Sequence, residues 1–550
     1  MCGIFLCVST NPNIASEILS EIEIIIRNRG PDSQYQEDVE SLTLDNQSKN
    51  SPKLYLKFFG CVLWLRGKCP QKQPLIDKKG GLLLWNGDIF GGVDVNEECD
   101  TSLVSENLSN PSTDIPEFIS RIQGPYAFIY YQSVINKLWF GRDYFGRHSL
   151  LIHKAADLLI LTSVIGGNLI NNYNFIEVPA DGVYQLDLET FGDLSINLYP
   201  FLREKSRDSN QSDKSKIYNN IYPDIGNSLH NTYLNDSISD TLYANVNFDD
   251  VEQENILLQL LSNKEYYDIV QQLTNVLKES VRKRVISQPG FCKNCIIKIC
   301  NQDRKTYDKN HCGHPKISVL FSGGIDCAVI AALAHLTIPP GEELDLINVA
   351  FGQESPKEVK CKDVLNQNKT FNVPDRQTGI IAFDELRKAF PERQFNFVMV
   401  NVEKCELVSK RTEEIKQLLY PLDTVLDDSI GCAIWFAARG KGVIRNENPT
   451  EHQEHYQTPS RVVLLGMGAD EQLGGYSRHR EKYRREKYEG LLNEIRLGNR
   501  NTKTVIYSKL LFNTYFSPFS LSDYNISTSF ITFFIELERI STRNLGRDNR

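Results

Sequence analysis

The chain has 550 residues, too many for one hydrophobic core and enough for two or three domains. Its 61 Lys+Arg against 70 Asp+Glu leave a formal net charge of -9, which argues against a nucleic-acid-binding protein, since neutralising many phosphates takes a basic surface. Hydrophobic residues at 41% and aromatics at 10% suffice for packed cores. A mean hydropathy of -0.34 and the lack of any apolar run near ~18 residues give no expectation of a membrane span. The opening MCGIFLCVSTNPN has no basic segment and too short an apolar stretch for a secretory signal, so a cytoplasmic location is expected. Thirteen Cys, an odd count, suit reduced thiols and a metal site better than a disulfide framework.

Asn13–Ile26 is the first expected helix, with Ile18, Ile22, Ile25 and Ile26 on one face. Short strand-like runs follow at Lys53–Phe59, Gly81–Trp85, Tyr126–Tyr131, Lys137–Phe140 and Leu158–Leu161, separated by Gly, Pro and Asn. From Ser206 to Glu254 the composition turns to Ser, Asn, Asp and Tyr with little periodicity, and residues 201–265 read as a polar linker or insertion. A charged amphipathic helix, Tyr266–Ile286, leads into a second domain. There Ile317–Phe321, Asp345–Phe351, Phe395–Val402 and Val462–Leu465 read as strands. Ile325–Ala334, Leu386–Phe390 and Ser429–Arg439 read as helical. That alternation predicts a doubly wound parallel sheet. Asn446–Ser460 reads as a polar loop and Arg478–Glu489 as a charged helix.

Cys2 carries the first chemical signal. Aminopeptidases remove a leading Met when the next side chain is small, which would make Cys2 the N-terminal residue. An α-amino group titrates near ~7.7–8 and a thiol near ~8.5, so one residue supplies nucleophile and base together. Downstream, Arg29-Gly30-Pro31-Asp32 offers a guanidinium fork for a carboxylate. In Trp85-Asn86-Gly87-Asp88-Ile89-Phe90, the Asn86 amide and the Gly87 N–H suit an oxyanion. Asp100 supplies a carboxylate suited to an α-ammonium group, whereas Gly124–Phe128 and Arg142–Arg147 look structural.

Cys2, RGPD, QPL, WNGDIF, Asp100, GPYAF and RDYFGR resemble, in order and spacing, the class II glutamine amidotransferases with an N-terminal nucleophile. The resemblance implies an Ntn-type αββα glutaminase sandwich over residues 1–200. It makes Cys2 the nucleophile, Asn86 and Gly87 the oxyanion hole, and Arg29 the ligand of the glutamine α-carboxylate. Asp100 would hold the α-amine, with Asp88 beside it where the family often has Glu.

The second signal is Ser322-Gly323-Gly324-Ile325-Asp326-Cys327, set between a strand and a helix, where backbone N–H groups face a phosphate. Asp326 offers a carboxylate for Mg2+. A second turn, Leu465-Gly466-Met467-Gly468-Ala469-Asp470, follows another apolar strand, and Asp470 would complete a two-carboxylate magnesium site. Together with the first half, these resemble the PP-loop ATP-pyrophosphatase domain of the asparagine synthetase family, most closely its asparagine synthetase domain-containing branch. That branch is matched in YPLDTVLDDSIGCAIWFAARG, LLGMGADEQLGGYSRHR and STRNLGRDNR. The resemblance implies a synthetase-like domain over 266–550. It places MgATP on Leu320, Ser322, Gly323, Gly324, Asp326 and Gly466, activating an aspartate carboxylate for attack by ammonia from glutamine. A homodimer is a further expectation.

The synthetase half departs from the family pattern at three points: Cys327 replaces a Ser, Met467 replaces a Glu, and the chain ends at Arg550 before the segment carrying a downstream Lys. The last point is read as a C-terminal truncation. Two functions therefore remain open: a complete glutamine-dependent asparagine synthetase-like enzyme, or a degenerate relative with at most glutaminase activity that serves in interaction or regulation. Between linker and loop, Cys292, Cys295, Cys300 and Cys312, with His311 and His314 nearby, have spacing suited to a structural zinc ion. A tRNA-modifying PP-loop enzyme with a zinc clip would explain that region but not the N-terminal half.

Overall fold

The computed structural model describes residues 2–41, 53–67, 69–95, 99–191, 195–201, 216–218, 261–287, 290–301, 311–352, 371–445, 455–466, 469–470 and 475–498. Two compact units divide the chain: Met1–Ser228 with Lys416–Val425, and Leu229–Ile415 with Leu426–Arg550.

The first unit is built on two antiparallel sheets. One takes β1 (Gly3–Ser9), β2 (Ser33–Ser41), β3 (Leu54–Val62), β8 (Leu151–Ala155), β9 (Leu158–Thr162) and β10 (Ile176–Glu177), in the order β10-β8-β9-β1-β3-β2. The other takes β4 (Leu75–Ile76), β5 (Leu82–Gly87), β6 (Tyr126–Gln132), β7 (Lys137–Arg142), β11 (Gly182–Asp187), β12 (Ile196–Pro200) and β13 (Lys216–Tyr218), ordered β13-β12-β11-β7-β6-β5-β4. Facing side chains fuse them into one core: Ile4, Leu6, Val8 and Phe58 from the first sheet pack with Leu84, Ala127, Ile129 and Phe140 from the second.

Helices cover both outer faces. α1 (Pro12–Arg29) begins at Asn11, whose side chain accepts the Asn13 N–H, and has Pro in its first turn. Its Ile18, Leu19, Ile22 and Ile26 pack on Phe5, Cys7, Phe59 and Cys61; each such side chain contributes about 1.5–3 kcal/mol on burial. α2 (Asp100–Ser109) and α3 (Ile115–Arg121) pack Val104, Leu108, Phe118 and Ile119 on Leu83, Trp85 and Phe128. Because β1 meets the other sheet on one face and α1 on the other, all seven of its residues are buried. That two-sided burial explains why GIFLCVS is continuously apolar rather than alternating.

The second unit holds a mixed sheet of β14 (Ile317–Leu320), β15 (Leu344–Phe351), β16 (Phe395–Val402), β17 (Lys441–Ile444), β18 (His455–Gln457) and β19 (Val462–Leu464), ordered β18-β17-β16-β15-β14-β19. β16, β15, β14 and β19 run parallel, and β17 and β18 join antiparallel at one edge. Helices Ile325–His335 and Pro374–Ala389 bury Ile330, Leu333, Ala382, Phe383 and Leu386 against it, together with Val281 and Val285 of the helix Lys264–Ile286.

Two expectations need correction. The sheet is not wholly parallel, and its antiparallel edge includes His455–Gln457, inside the segment Asn446–Ser460 read as a loop. The polar segment 201–265 also contributes Lys216–Tyr218, which pairs with β12 (Ile196↔Tyr218, Leu198↔Lys216); most of the rest of that segment lies outside the described residues. So do Met467 and the terminal STRNLGRDNR. Among the described residues, no helix is long and apolar enough to cross a membrane.

Candidate functional site

Cys2 stands immediately before β1, and Asn86 and Gly87 end β5, so the stacking of the two sheets brings them together. The Cys2 backbone N–H donates to Asn86 Oδ1 at 2.8 Å, and Cys2 Sγ lies 3.9 Å from the Leu63 carbonyl oxygen just past β3. The other half of the Asn86 amide, Nδ2, is buried without a hydrogen-bond partner among the described residues. Burial raises the Cys2 thiol above its ordinary range, while the charge of the chain's N-terminus, the Leu63 backbone and, least of these, the Arg29 guanidinium pull the other way. The thiol is therefore protonated at neutral pH and needs a base to react.

One cavity is lined by Cys2, Asn86, Gly87, Asp88, Asp100 and Arg66, with His148, Thr101, Gln71 and Gln73 among the other walls. Asp100, the first residue of α2, accepts from the Ile89 N–H at 2.7 Å and from Arg66 Nη1 at 3.2 Å. Burial, partly offset by Arg66, raises its carboxyl to about 7. Arg66 also lies 3.8 Å from Asp88 and over the Phe90 ring. Gly87 is required by packing: a Cβ there would come 2.6 Å from Tyr126 Cβ and 2.7 Å from the Pro125 oxygen. His148, 9% exposed, has a buried Nδ1 with no partner among the described residues; burial first, then the charge of the chain's N-terminus, and then Arg29, Arg147 and Arg142, hold its imidazole well below the usual range and so neutral.

Arg29 is placed differently from the other expected site residues. It is not among the residues lining the cavity; its Nε donates to the Cys2 carbonyl and its Nη1 to the Ser163 carbonyl, both at 3.3 Å. Burial lowers it to about 10, which leaves it cationic at neutral pH. The rest of the RGPD segment forms a turn against β3, where a Cβ on Gly30 would fall 2.1 Å from the Cys61 carbonyl and Asp32 Oδ2 accepts the Trp64 N–H at 2.7 Å. Arg142 to Arg147 is structural, as expected: Arg142 Nε donates to the His148 carbonyl and Arg147 pairs with Asp143 at 2.9 Å. Sequence reasoning missed Arg66, Thr101 and His148. They come from three separate segments, and the one available signal was the proximity of Arg66 to the QPL segment.

In the second unit the chain leaves β14 into Ser322–Cys327 and then enters the helix Ile325–His335, whose start at Gly324 has no side-chain cap. β14 lies between β15 and β19, so chain order reverses beside it. Such a switch point opens a crevice at the carboxyl ends of parallel strands. The turn after β19 abuts the loop, since a Cβ on Gly466 would meet Asp326 at 2.9 Å. The helix Pro374–Ala389 supports the loop from the side: Thr378 Oγ1 donates to the Ser322 carbonyl at 2.9 Å. Asn348 Nδ2 donates to the Phe321 and Asp375 carbonyls at 2.8 and 3.0 Å. Cys327 Sγ donates to the Gly324 carbonyl at 3.0 Å and is buried. Gly323 has φ +85 and faces the Thr378 backbone at 2.3 Å from an added Cβ. Gly323→Ala is expected to cost about 1–3 kcal/mol, measurable as a lower thermal midpoint for this unit; an unchanged midpoint contradicts the packing described.

A third group lies apart from both loops. Ligand atoms of Cys292, Cys295, Cys312 and His314 all fall within 4.8 Å of one another. His314 is one of the two histidines expected near the cysteines, and the Cys300 side chain lies outside the described residues.

Asparagine synthetase domain-containing protein 1 of Homo sapiens is 34% identical over 100% of this chain and 84% of its own length. The Gallus gallus protein of the same name is 33% identical over 100% of this chain and 86% of its own. The chain belongs to the asparagine synthetase domain-containing protein 1 family. The likeness runs through both units, since it covers the whole of this chain. No protein-family model matches the chain. Among solved structures, the Bacillus subtilis glutamine phosphoribosylpyrophosphate amidotransferase complexed with ADP and GMP overlaps 78% of this chain and 95% of its own at 12% identity. Its TM-score is 0.28, too loose a superposition to argue from.

Proposed function

We propose that the family's first unit is an Ntn-type glutaminase, occupying about residues 1–200, and that the second, about 266–550, is a PP-loop unit that binds MgATP and activates a carboxylate, aspartate being the expected acceptor. One observation carries the glutaminase reading. The Cys2 N–H is held by Asn86 Oδ1 at 2.8 Å while the same amide's Nδ2 is buried with no acceptor among the described residues. An unsatisfied buried donor beside a thiol costs stability in the resting protein and is repaid when an oxyanion forms there.

After removal of Met1, the Cys2 α-amine takes the Sγ proton as sulfur attacks the side-chain amide carbon of glutamine. Asn86 Nδ2 and the Gly87 N–H receive the charge on oxygen. The amide nitrogen leaves as ammonia with that proton, and water then cleaves the thioester to glutamate. Asp100 binds the substrate α-ammonium. In this reading Arg66, the single guanidinium among the described lining residues, takes the α-carboxylate, and Arg29 fixes the Cys2 backbone through its carbonyl.

The donor set of the second unit fits a pyrophosphate group: an uncapped helix start at Gly324, with Ser322, Gly323 and Asp326, at a strand switch point. ATP bound there would supply the leaving group for carboxylate activation, with Asp326 and Asp470 as magnesium ligands and Leu320 and Gly466 beside the nucleotide. Cys327 and Met467 favour a second reading for this unit, a synthetase fold without the complete reaction. Incubation with glutamine, aspartate and MgATP decides between them: asparagine with AMP supports synthesis, and glutamate alone supports the second reading.

The Asp100 carboxyl predicts a pH limb. With its folded value near 7 against an ordinary 3.8, the group is protonated below that pH and loses its hold on an ammonium. kcat/KM for glutamine is then expected to fall below about 7 more steeply than protonation of the Cys2 α-amine alone would give, by up to a further ~10-fold per pH unit, and Asp100→Asn to remove that added steepness and leave the limb of the amine. The raised value has a matching stability sign. The group's contribution is complete below its ordinary range and is lost as pH rises through about 7. A wild-type profile flat from pH 6 to 8 contradicts the assignment.

A further inference from the structure

Four ligand-type side chains meet in the second unit, away from the Ser322 loop. Cys292 and Cys295 are three apart at the start of the helix Lys293–Asn301, which sets both sulfurs on one side of it. Cys312 and His314 come from the bent segment leading into β14. Cys292 Sγ lies 3.7 Å and Cys295 Sγ 3.5 Å from His314 Nδ1. A tetrahedral ion with zinc–sulfur bonds near ~2.3 Å and a zinc–nitrogen bond near ~2.05 Å sets its ligand atoms about 3.6 Å apart. Those contacts therefore match two edges of such a tetrahedron. The Cys292 backbone N–H donates to Cys312 Sγ at 3.1 Å, the kind of charge-assisted bond that supports a thiolate. Cys292 and Cys295 are buried, at 0% and 7% exposure, which is where free thiolates without a cation are disfavoured.

We propose that Cys292, Cys295, Cys312 and His314 bind one structural zinc ion. Three soft sulfur ligands and one imidazole in a tetrahedron favour zinc over magnesium or calcium, which take oxygen, and four protein ligands leave no position for substrate. The ion pins three segments of the second unit. The Cys312 N–H donates to the Gly290 carbonyl, and the Lys293 N–H donates to the Pro459 carbonyl ahead of β19. Lys316 Nζ donates to the Cys312 carbonyl at 3.1 Å, just before β14. The zinc thus ties the entries of β14 and β19, the two adjacent strands whose far ends carry the Ser322 and Gly466 turns. The site is independent of whether either unit turns over substrate.

The test is elemental analysis of full-length protein purified without chelator, which is expected to carry ~1 zinc per chain. Cys292→Ser with Cys295→Ser is expected to lower bound zinc at least ~10-fold, and His314→Ala to weaken retention against a competing chelator ~10–100-fold. Cys300→Ser is expected to leave both unchanged. Should the double variant fail to fold, wild-type protein still decides. Cys292, Cys295 and Cys312 resist alkylation until a strong zinc chelator is added, and reduced, metal-free protein takes up cobalt with the visible spectrum of a tetrahedral thiolate site. Absence of zinc together with failure of the reduced protein to take up zinc or cobalt overturns the proposal. Full retention of zinc by the double variant, or loss of zinc with Cys300→Ser but not with His314→Ala, overturns it as well.

Discussion

Cys2→Ala is expected to reduce glutamine hydrolysis at least ~10³-fold with little change in thermal stability. Beyond a long contact with the Leu63 carbonyl at 3.9 Å, Cys2 Sγ makes no hydrogen bond among the described residues, so alanine disturbs little packing. The backbone N–H that Asn86 holds and the carbonyl that Arg29 holds are both retained in the variant. The loss should therefore fall on kcat rather than on glutamine affinity. Release of ammonia and glutamate, measured with wild type and variant prepared alike, checks it. Equal rates would place the hydrolysis elsewhere.

Replacement of Asn86 should have the next largest effect. Asn86→Ala removes both the acceptor for the Cys2 N–H and the buried donor Nδ2, and loss of one oxyanion donor typically costs ~10²–10³ in kcat. Asn86→Asp separates the two roles, because it keeps an acceptor for Cys2 and removes the donor. If oxyanion stabilisation dominates, the aspartate variant falls as far as the alanine variant. If the amide serves mainly to fix Cys2, the aspartate variant stays near wild type. A kcat comparison of the two variants, with KM followed in parallel, distinguishes these results. Asn86 is 1% exposed, so circular dichroism and thermal melts of both are needed to show that the fold survives.

Much of the first unit was legible because its strands carry local signals. Tyr126–Tyr131 and Lys137–Phe140 are apolar runs set off by Gly, Asn and Lys, and both became strands close to those bounds. β1 was not recognised, since burial on two faces removed the alternation that marks a strand and left a short apolar run resembling part of a leader. His455–Gln457 was hidden for the opposite reason: three residues in a polar segment pair only because β17 offers an edge. At the site, Cys2, Asn86, Gly87, Asp88 and Asp100 were readable from motifs and all line one cavity. Arg66 and His148 were not, because their chemistry depends on which strands stack. The RGPD motif does not disclose the hydrogen bonds of Arg29 to the Cys2 and Ser163 carbonyls, which follow from the end of α1 lying against β1 and β9. The spacing offered His311 and His314 together as closing ligands, and only tertiary contact selects His314, which lies beside Cys292 and Cys295.

The central claim is that Cys2 is an N-terminal thiol poised against an amide. Its most direct test is mass spectrometry of natively expressed protein, before and after treatment with a diazoketone analogue of glutamine. The expected result is an N-terminal peptide that begins at Cys2 and gains the analogue on that sulfur, with labelling suppressed by glutamine. Met1 still attached in the native protein, or label found only on other cysteines, would contradict it.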